Sequence, residues 1–178
     1  MTAIRRRRRS SATSATAIAA VESTFSALLH WDDLPHWRRD NGYLLTSYRQ
    51  PTPSAALIVA SSLTLHNETV NIWTHLLGAV LFACVSVWAW ALVKPRYEAA
   101  GAADVLVFSA FFAGAVACLG MSATYHAVSS HSERVARLGN KLDYGGIVVL
   151  TVGSFMPALY YGLFCRRALM VSYMSMVR

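Results

Sequence analysis

VLVFSAFFAGAVACLGMSATYHAVSSHS, residues 105–132, contains no Asp, Glu, Lys or Arg. About 20 apolar helical residues cross a hydrocarbon core of roughly 30 Å, so this stretch is long enough to span a bilayer as one helix. Residues 74–93 and 144–165 are uncharged in the same way. A helix on the surface of a soluble core keeps one polar face, and none of the three runs has a continuous one. The chain as a whole is 55% hydrophobic and 14% charged, with the charges gathered in the tail and the connections. A soluble globular domain is thereby excluded. The pattern predicts an all-α membrane protein with three complete transmembrane helices and the start of a fourth. The expected spans cover about 70–93, 105–128 and 144–165, with a partial one over 168–178.

Residues 1–52 read as a cytosolic tail, disordered in its Arg-, Ser- and Ala-rich first part. Val21, Phe25, Leu28 and Leu29 fall at helical spacing, which predicts a short amphipathic helix. Asn41-Gly42 reads as a turn. Ala55 to Leu65 is apolar but too short to span, and is expected to lie along the inner interface. Trp73, Trp88 and Trp90 stand towards the two ends of the first span, where aromatic belts form. Cys84, Cys118 and Cys165 show no CxxC spacing and read as free thiols within the membrane.

Basic residues set the expected orientation. Arg5 to Arg9, Arg38, Arg39 and Arg49 precede the first span, Lys94 and Arg96 follow it, and Arg134, Arg137 and Lys141 follow the second. The positive-inside rule then places the N-terminus in the cytosol. Arg5 to Arg9 suit a solvated tail beside an anionic leaflet. Nucleic-acid binding and a mitochondrial transit peptide are the other readings of such a run.

Ionisable side chains at membrane depth are costly, which makes each a candidate functional group. His126 lies near the inner end of the second span. Ser122 is four residues earlier on the same face, and Cys118, Gly114 and Ala110 continue that ridge with small residues. Such a ridge lets another helix approach closely. On spacing alone, Ser122 and His126 either hydrogen-bond to neighbouring helices or belong to a metal site. His131 is roughly 140° further round a helix and is assigned to a polar loop with Glu133, Arg134, Arg137, Lys141 and Asp143. Asp143 stands where the third span begins, as a helix N-cap or as an acid–base group beside a metal site. Glu68, Asn71 and His75 share one face, which reads as a polar patch facing the cytosolic entrance or a neighbouring helix. His66, Glu68 and His75 form a weaker second metal candidate.

Four stretches in order resemble the adiponectin-receptor family, also called progestin and adipoQ receptors or haemolysin III-related proteins. They are LPHWRRDNGYLLTSYR (34–49), HNETVNIWTHLLG (66–78), SATYHAVSSHSE (122–133) and KLDYGGI (141–147). The overall character is closest to the fungal branch. The resemblance implies the N-terminal half of a seven-helix bundle with a cytosolic N-terminus. It also implies a zinc ion held by three histidines, one of them at the position of His126. Ser122 and Asp143 match the family's serine and the aspartate placed beside the zinc. The other two ligands lie in an HxxxH motif on a seventh helix, and this sequence has no histidine after His131. The zinc site is therefore expected to be incomplete in this chain.

The function this implies is that of a truncated family member, inactive alone, linked to zinc-dependent lipid and sterol signalling and to metal homeostasis. One alternative is a zinc-dependent ceramide amidohydrolase completed by helices this chain lacks, with Asp143 and Ser122 as catalytic groups. Another is a membrane-permeabilising protein, for which the sequence offers no ring of charges to line a pore. Expected partners are membrane lipids, ceramide or sterol among them, and full-length family members. Nucleic acid is not among them.

The orientation has a direct readout. A glycosylation acceptor inserted before Arg38 should remain unmodified in microsomes, and one placed near Glu98 should be modified. The reverse pattern would invert the topology.

Overall fold

The computed structural model describes residues 28–96 and 101–177. They fall into two compact units, one of the described residues up to Thr69 with Ser130–Glu133, and one of the described residues of 70–129 and those from Arg134 onwards. Residues 1–27 lie outside the described residues, and so do Val21 and Phe25 of the expected tail helix.

In the first unit Leu29 is extended rather than helical. It pairs antiparallel with Tyr48, donating to the Tyr48 carbonyl at 2.7 Å and accepting back at 3.2 Å. Asn41 makes the expected turn: its carbonyl accepts from the Leu44 amide and its side chain from the Tyr43 amide, both at 3.1 Å. This is the local bonding that suits Asn to turns. Helix α1, Ala55–Ser61, starts at Ser54, whose hydroxyl accepts from the Leu57 amide at 3.4 Å.

The core of this unit mixes Leu34, Tyr48 and Ile58 with buried Arg38, Arg49 and His66. The Arg38 guanidinium donates to the Arg49 carbonyl and lies 5.9 Å from the centroid of the Tyr48 ring. Arg49 donates to Ser61 Oγ at 3.1 Å. Two of the eight arginines counted for orientation are thus core-bonding groups rather than surface charges. His66 Nδ1 accepts from the Glu68 amide at 3.0 Å. Burial, and then the nearby Arg49 charge, push His66 down to about 4 and Arg49, through burial and Arg38, down to about 10.

The second unit is helical: α2 Thr69–Arg96, α3 Ala102–Val128, α4 Glu133–Gly162 and α5 Arg167–Met176. Three of these, α2 to α4, are long and apolar enough to cross a membrane. Leu77 and Leu81 of α2, Leu106 of α3 and Val148 of α4 remain exposed, a density of bare apolar surface that water-soluble monomers avoid. α5 occupies the place of the expected partial span.

The segment expected as a polar loop after the second span is helical from Glu133 onwards. Its Glu, Arg, Ala, Leu and Lys residues are good helix formers, and Glu133, Arg134, Arg137 and Lys141 are simply exposed on the first turns of α4. Asp143 therefore lies inside a helix, and the N-cap reading is overturned. At the other end α4 stops at Gly162, short of the expected boundary near Cys165.

Helices α3 and α4 run antiparallel and touch through small residues. A Cβ added at Gly153 would meet the Ala110 carbonyl oxygen at 2.6 Å, one at Gly114 the Val149 oxygen at 3.1 Å, and one at Gly146 the Cys118 Cα at 2.9 Å. One at Gly139 would meet the Tyr125 ring at 2.9 Å. The Ala110–Gly114–Cys118 ridge read from the sequence is the seam, and α4 supplies Gly146 and Gly153 to match it. On the same register Ser122 is level with Lys141 and Leu142. At the far end Tyr161 donates to Asp104 at 2.5 Å, while the other Asp104 oxygen accepts from the Gly101 amide at 2.8 Å.

His66 gives the first unit a pH dependence of known sign. Its folded value, about 4, lies below the usual 6.5, so the unfolded chain takes up the proton first. The stability it contributes is complete above pH 6.5 and is lost as pH falls towards 4. Hydrogen-exchange protection of the Leu29 and Tyr48 amides, corrected for intrinsic rates, should fall over that window and fall less in His66→Gln. Equal pH profiles for both proteins would contradict the assignment.

Candidate functional site

Helix α2 meets α3 along a second antiparallel seam. A Cβ at Gly78 would stand 3.1 Å from Leu119 Cδ1, and the Phe82 and Phe111 rings lie edge to face at 6.0 Å. The last contact of this seam is polar. His75 Nδ1 of α2 lies 2.8 Å from Ser122 Oγ of α3. Ser122 is buried, 5% exposed, because both neighbouring helices cover the small-residue ridge on which it sits. His126, one turn further along that ridge, has its ring edge to face with His75 at 5.9 Å between centroids.

Two imidazoles and a buried hydroxyl are thus gathered near one end of the three apolar helices. Asp143 approaches from α4: it is half-buried, one turn before Gly146, and within electrostatic reach of Cys118. Of the residues singled out in the sequence, Ser122 and His126 therefore share one locus, and the α3–α4 register brings Asp143 within about one residue of the level of Ser122. His131 belongs to the connection after α3, where its Nδ1 lies 3.0 Å from Ser132 Oγ. Of the second metal candidate, His66 Nδ1 accepts from the Glu68 amide within the first unit, and His75 of the second unit pairs with Ser122. His75 faces a neighbouring helix, as one reading of its polar patch expected, but its pairing with Ser122 was not foreseen. Its face was marked by the spacing Glu68, Asn71, His75, but helical spacing cannot name a partner 47 residues away.

The donor chemistry here suits zinc, which takes neutral imidazole nitrogens readily. The number of donors does not: among the described residues no group of three or more His, Cys, Asp or Glu could hold a metal ion. A zinc centre generally needs three or four protein ligands, more than these residues supply. What they can do unaided is lock α2 to α3 and hold two imidazoles at fixed orientation in an apolar surrounding.

The haemolysin-III related family matches residues 63–178, which includes α2 to α5 and every residue of this cluster. Progestin and adipoQ receptor-like protein 1 of Caenorhabditis elegans is 44% identical over 160 residues, 88% of this chain and 36% of that protein. The adiponectin receptor protein of Drosophila melanogaster is 43% identical over 148 residues, 83% of this chain and 33% of that protein. The ADIPOR-like receptor IZH2 of Saccharomyces cerevisiae is 40% identical over 147 residues, 83% of this chain and 46% of that protein. The chain spans between a third and a half of the length of these relatives. Its helices, its four motifs and these matches agree: the chain belongs to the haemolysin-III related family, together with the adiponectin-receptor and progestin-and-adipoQ-receptor proteins that it matches.

Proposed function

We propose that this chain supplies the cytosolic entrance and one ligand of a zinc-dependent lipid-signalling receptor of the membrane. His126 is that ligand, Ser122 supports it, and the remaining imidazoles come from outside this chain. Alone, the chain is inactive. The observation that carries this reading is the placing of His126 beside a second imidazole and a buried hydroxyl, at a depth where unpaired polar groups are costly. The N-terminus lies in the cytosol, and the ligand is a membrane lipid of the ceramide or sterol class. Full-length family members are the natural source of the missing donors.

A second reading, amide hydrolysis of ceramide, is favoured by one observation. Asp143 is not a cap: it sits inside α4 on the side that packs against Cys118. A carboxylate held there has no structural debt to the helix end and is available to take or give a proton. Zinc, where present, would polarise the amide carbonyl. Water would add to the amide carbon as the C–N bond breaks, Asp143 would take the proton that the water gives up and pass it to the leaving amine, and Ser122 would orient the neighbouring imidazoles.

The test joins this chain to the remaining helices of the matched yeast protein. The chimaera should hold zinc stoichiometrically, whereas the 178-residue chain alone should not keep it through purification. His126→Ala should lose the metal. Asp143→Asn should keep the metal but reduce any amide hydrolysis by about 10–100-fold, and Ser122→Ala should be the mildest. Full zinc content in His126→Ala would end the metal assignment, and full activity in Asp143→Asn would end the role of that carboxylate.

A further inference from the structure

Helix α4 runs for 30 residues, Glu133–Gly162, which is about 45 Å at 1.5 Å per residue. The hydrocarbon core is roughly 30 Å thick, and the uncharged run of α4 starts at Tyr144. The first turns of the helix, with Arg134, Arg137 and Lys141, therefore stand at the level of the lipid headgroups. With the N-terminus in the cytosol two crossings precede α4, so this end belongs to the inner leaflet.

The three cations lie on one face. Steps of three and four residues, from Arg134 to Arg137 and on to Lys141, keep them within an arc of roughly 60°. That face is roughly 120–180° round the helix from Gly146, where α3 packs. All three side chains are exposed. The same line continues along the helix through Tyr144, Val148 and Phe155, which are exposed as well. One face of α4 thus carries three cations at headgroup level, then an aromatic ring where the hydrocarbon begins, then apolar side chains within it.

The charges on this face are not balanced by the helix. Residues three or four apart on a helix are neighbours, and like charges so placed repel. Arg137 is such a neighbour of both Arg134 and Lys141, and no carboxylate stands three or four residues from either of those two. Glu133, one turn before Arg137, offsets one charge. Asp143 lies towards Cys118, on the α3 side. An excess of two positive charges is left. Guanidinium groups match phosphate oxygens two at a time, and cations beside a cytosolic leaflet attract its anionic lipids. A soluble phosphate would use the cations alone, whereas a lipid uses the cations and the apolar line below them.

We propose that Arg134, Arg137 and Lys141 seat the phosphate of an anionic glycerophospholipid of the inner leaflet, whose acyl chains lie along Tyr144, Val148 and Phe155. The site is separate from the His126 cluster and does not depend on it. The choice of leaflet rests on the cytosolic N-terminus.

The test uses the purified chain in zwitterionic detergent with phosphatidylserine bearing a photoactivatable diazirine on its acyl chain, and the matching phosphatidylcholine. Phosphatidylserine should label α4 around Val148 and Phe155. Phosphatidylcholine should label there at least about tenfold less, since it brings no net charge to the cations. In a binding titration, Arg134→Gln and Lys141→Gln should each weaken phosphatidylserine by about fivefold, and the triple Gln variant by about 100-fold. Arg134→Lys, which keeps the charge, should lose less than about twofold. Removing Arg166 and Arg167 at the other end of the helix should change nothing. Equal labelling by the two lipids, or a triple variant that binds like the unaltered chain, overturns the proposal. Inorganic phosphate that competes at the lipid's own affinity overturns the part given to the acyl chains. A dimer of the chain that the triple variant abolishes assigns the face to a second copy and overturns the lipid. Should the triple variant lose its helical circular dichroism, the two lipids on the unaltered chain decide. The glycosylation pattern given above decides the leaflet separately, and its reversal overturns the inner leaflet as the source.

Discussion

The close approach of α3 to α4 is the constraint on which the rest of this structure depends. Between helices in a bilayer there is no hydrophobic drive, since lipid tails are as apolar as leucine, and association relies on dispersion contacts and a few hydrogen bonds. Those contacts need backbones near each other. Gly146 and Gly153 on one side, with Ala110, Gly114 and Cys118 on the other, allow it, and a single added Cβ at Gly146 or Gly153 would overlap backbone atoms of α3. The seam then determines which side of α3 faces inward. Ser122 and His126 continue the same ridge, so the packing of small residues is also what aims the candidate site at its neighbours.

Polar groups on such helices need partners within reach. Most hydroxyls here solve this locally: Thr74, Thr124, Thr151 and Ser154 each donate to the carbonyl four residues earlier, at 2.7 to 2.8 Å. This back-bonding is the ordinary way for Ser and Thr in an apolar helix. Ser122 differs, because it is paired across to His75 on another helix. A hydroxyl that ties two helices together at a buried point, beside two imidazoles, is placed for more than its own satisfaction. The first unit shows the same economy with larger groups, as Arg38 and Arg49 serve carbonyl and hydroxyl acceptors inside a core instead of solvent.

Much of this was legible in the sequence, and the failures share one cause. Uncharged runs of spanning length mark helices because the bilayer leaves few other solutions, and steps of four along Ala110, Gly114, Cys118 and Ser122 mark a ridge because helical geometry is fixed. What one strand of sequence cannot display is the partner. The Gly146 and Gly153 side of the seam and the pairing of His75 with Ser122 join residues far apart in the chain, and the burial of Arg38 and Arg49 rests on partners 11 and 12 residues away that no helical or strand period marks. The misreading of residues 133–143 as a loop came from equating charge with irregular structure, although Glu, Arg and Lys are also good helix formers. That error made Asp143 look like a cap, when it is a carboxylate on the body of a helix.

Backbone contact between α3 and α4 organises this unit, and two adjacent glycines separate that contact from helix propensity alone. At Gly145 an added Cβ meets nothing within 4 Å, whereas at Gly146 it meets the Cys118 Cα at 2.9 Å. Unfolding free energies by detergent titration should therefore change in opposite directions. Gly145→Ala should stabilise by up to about 1 kcal/mol through helix propensity, and Gly146→Ala should destabilise by about 1–3 kcal/mol through overpacking. Equal effects of the two substitutions, or stabilisation by both, would contradict the account.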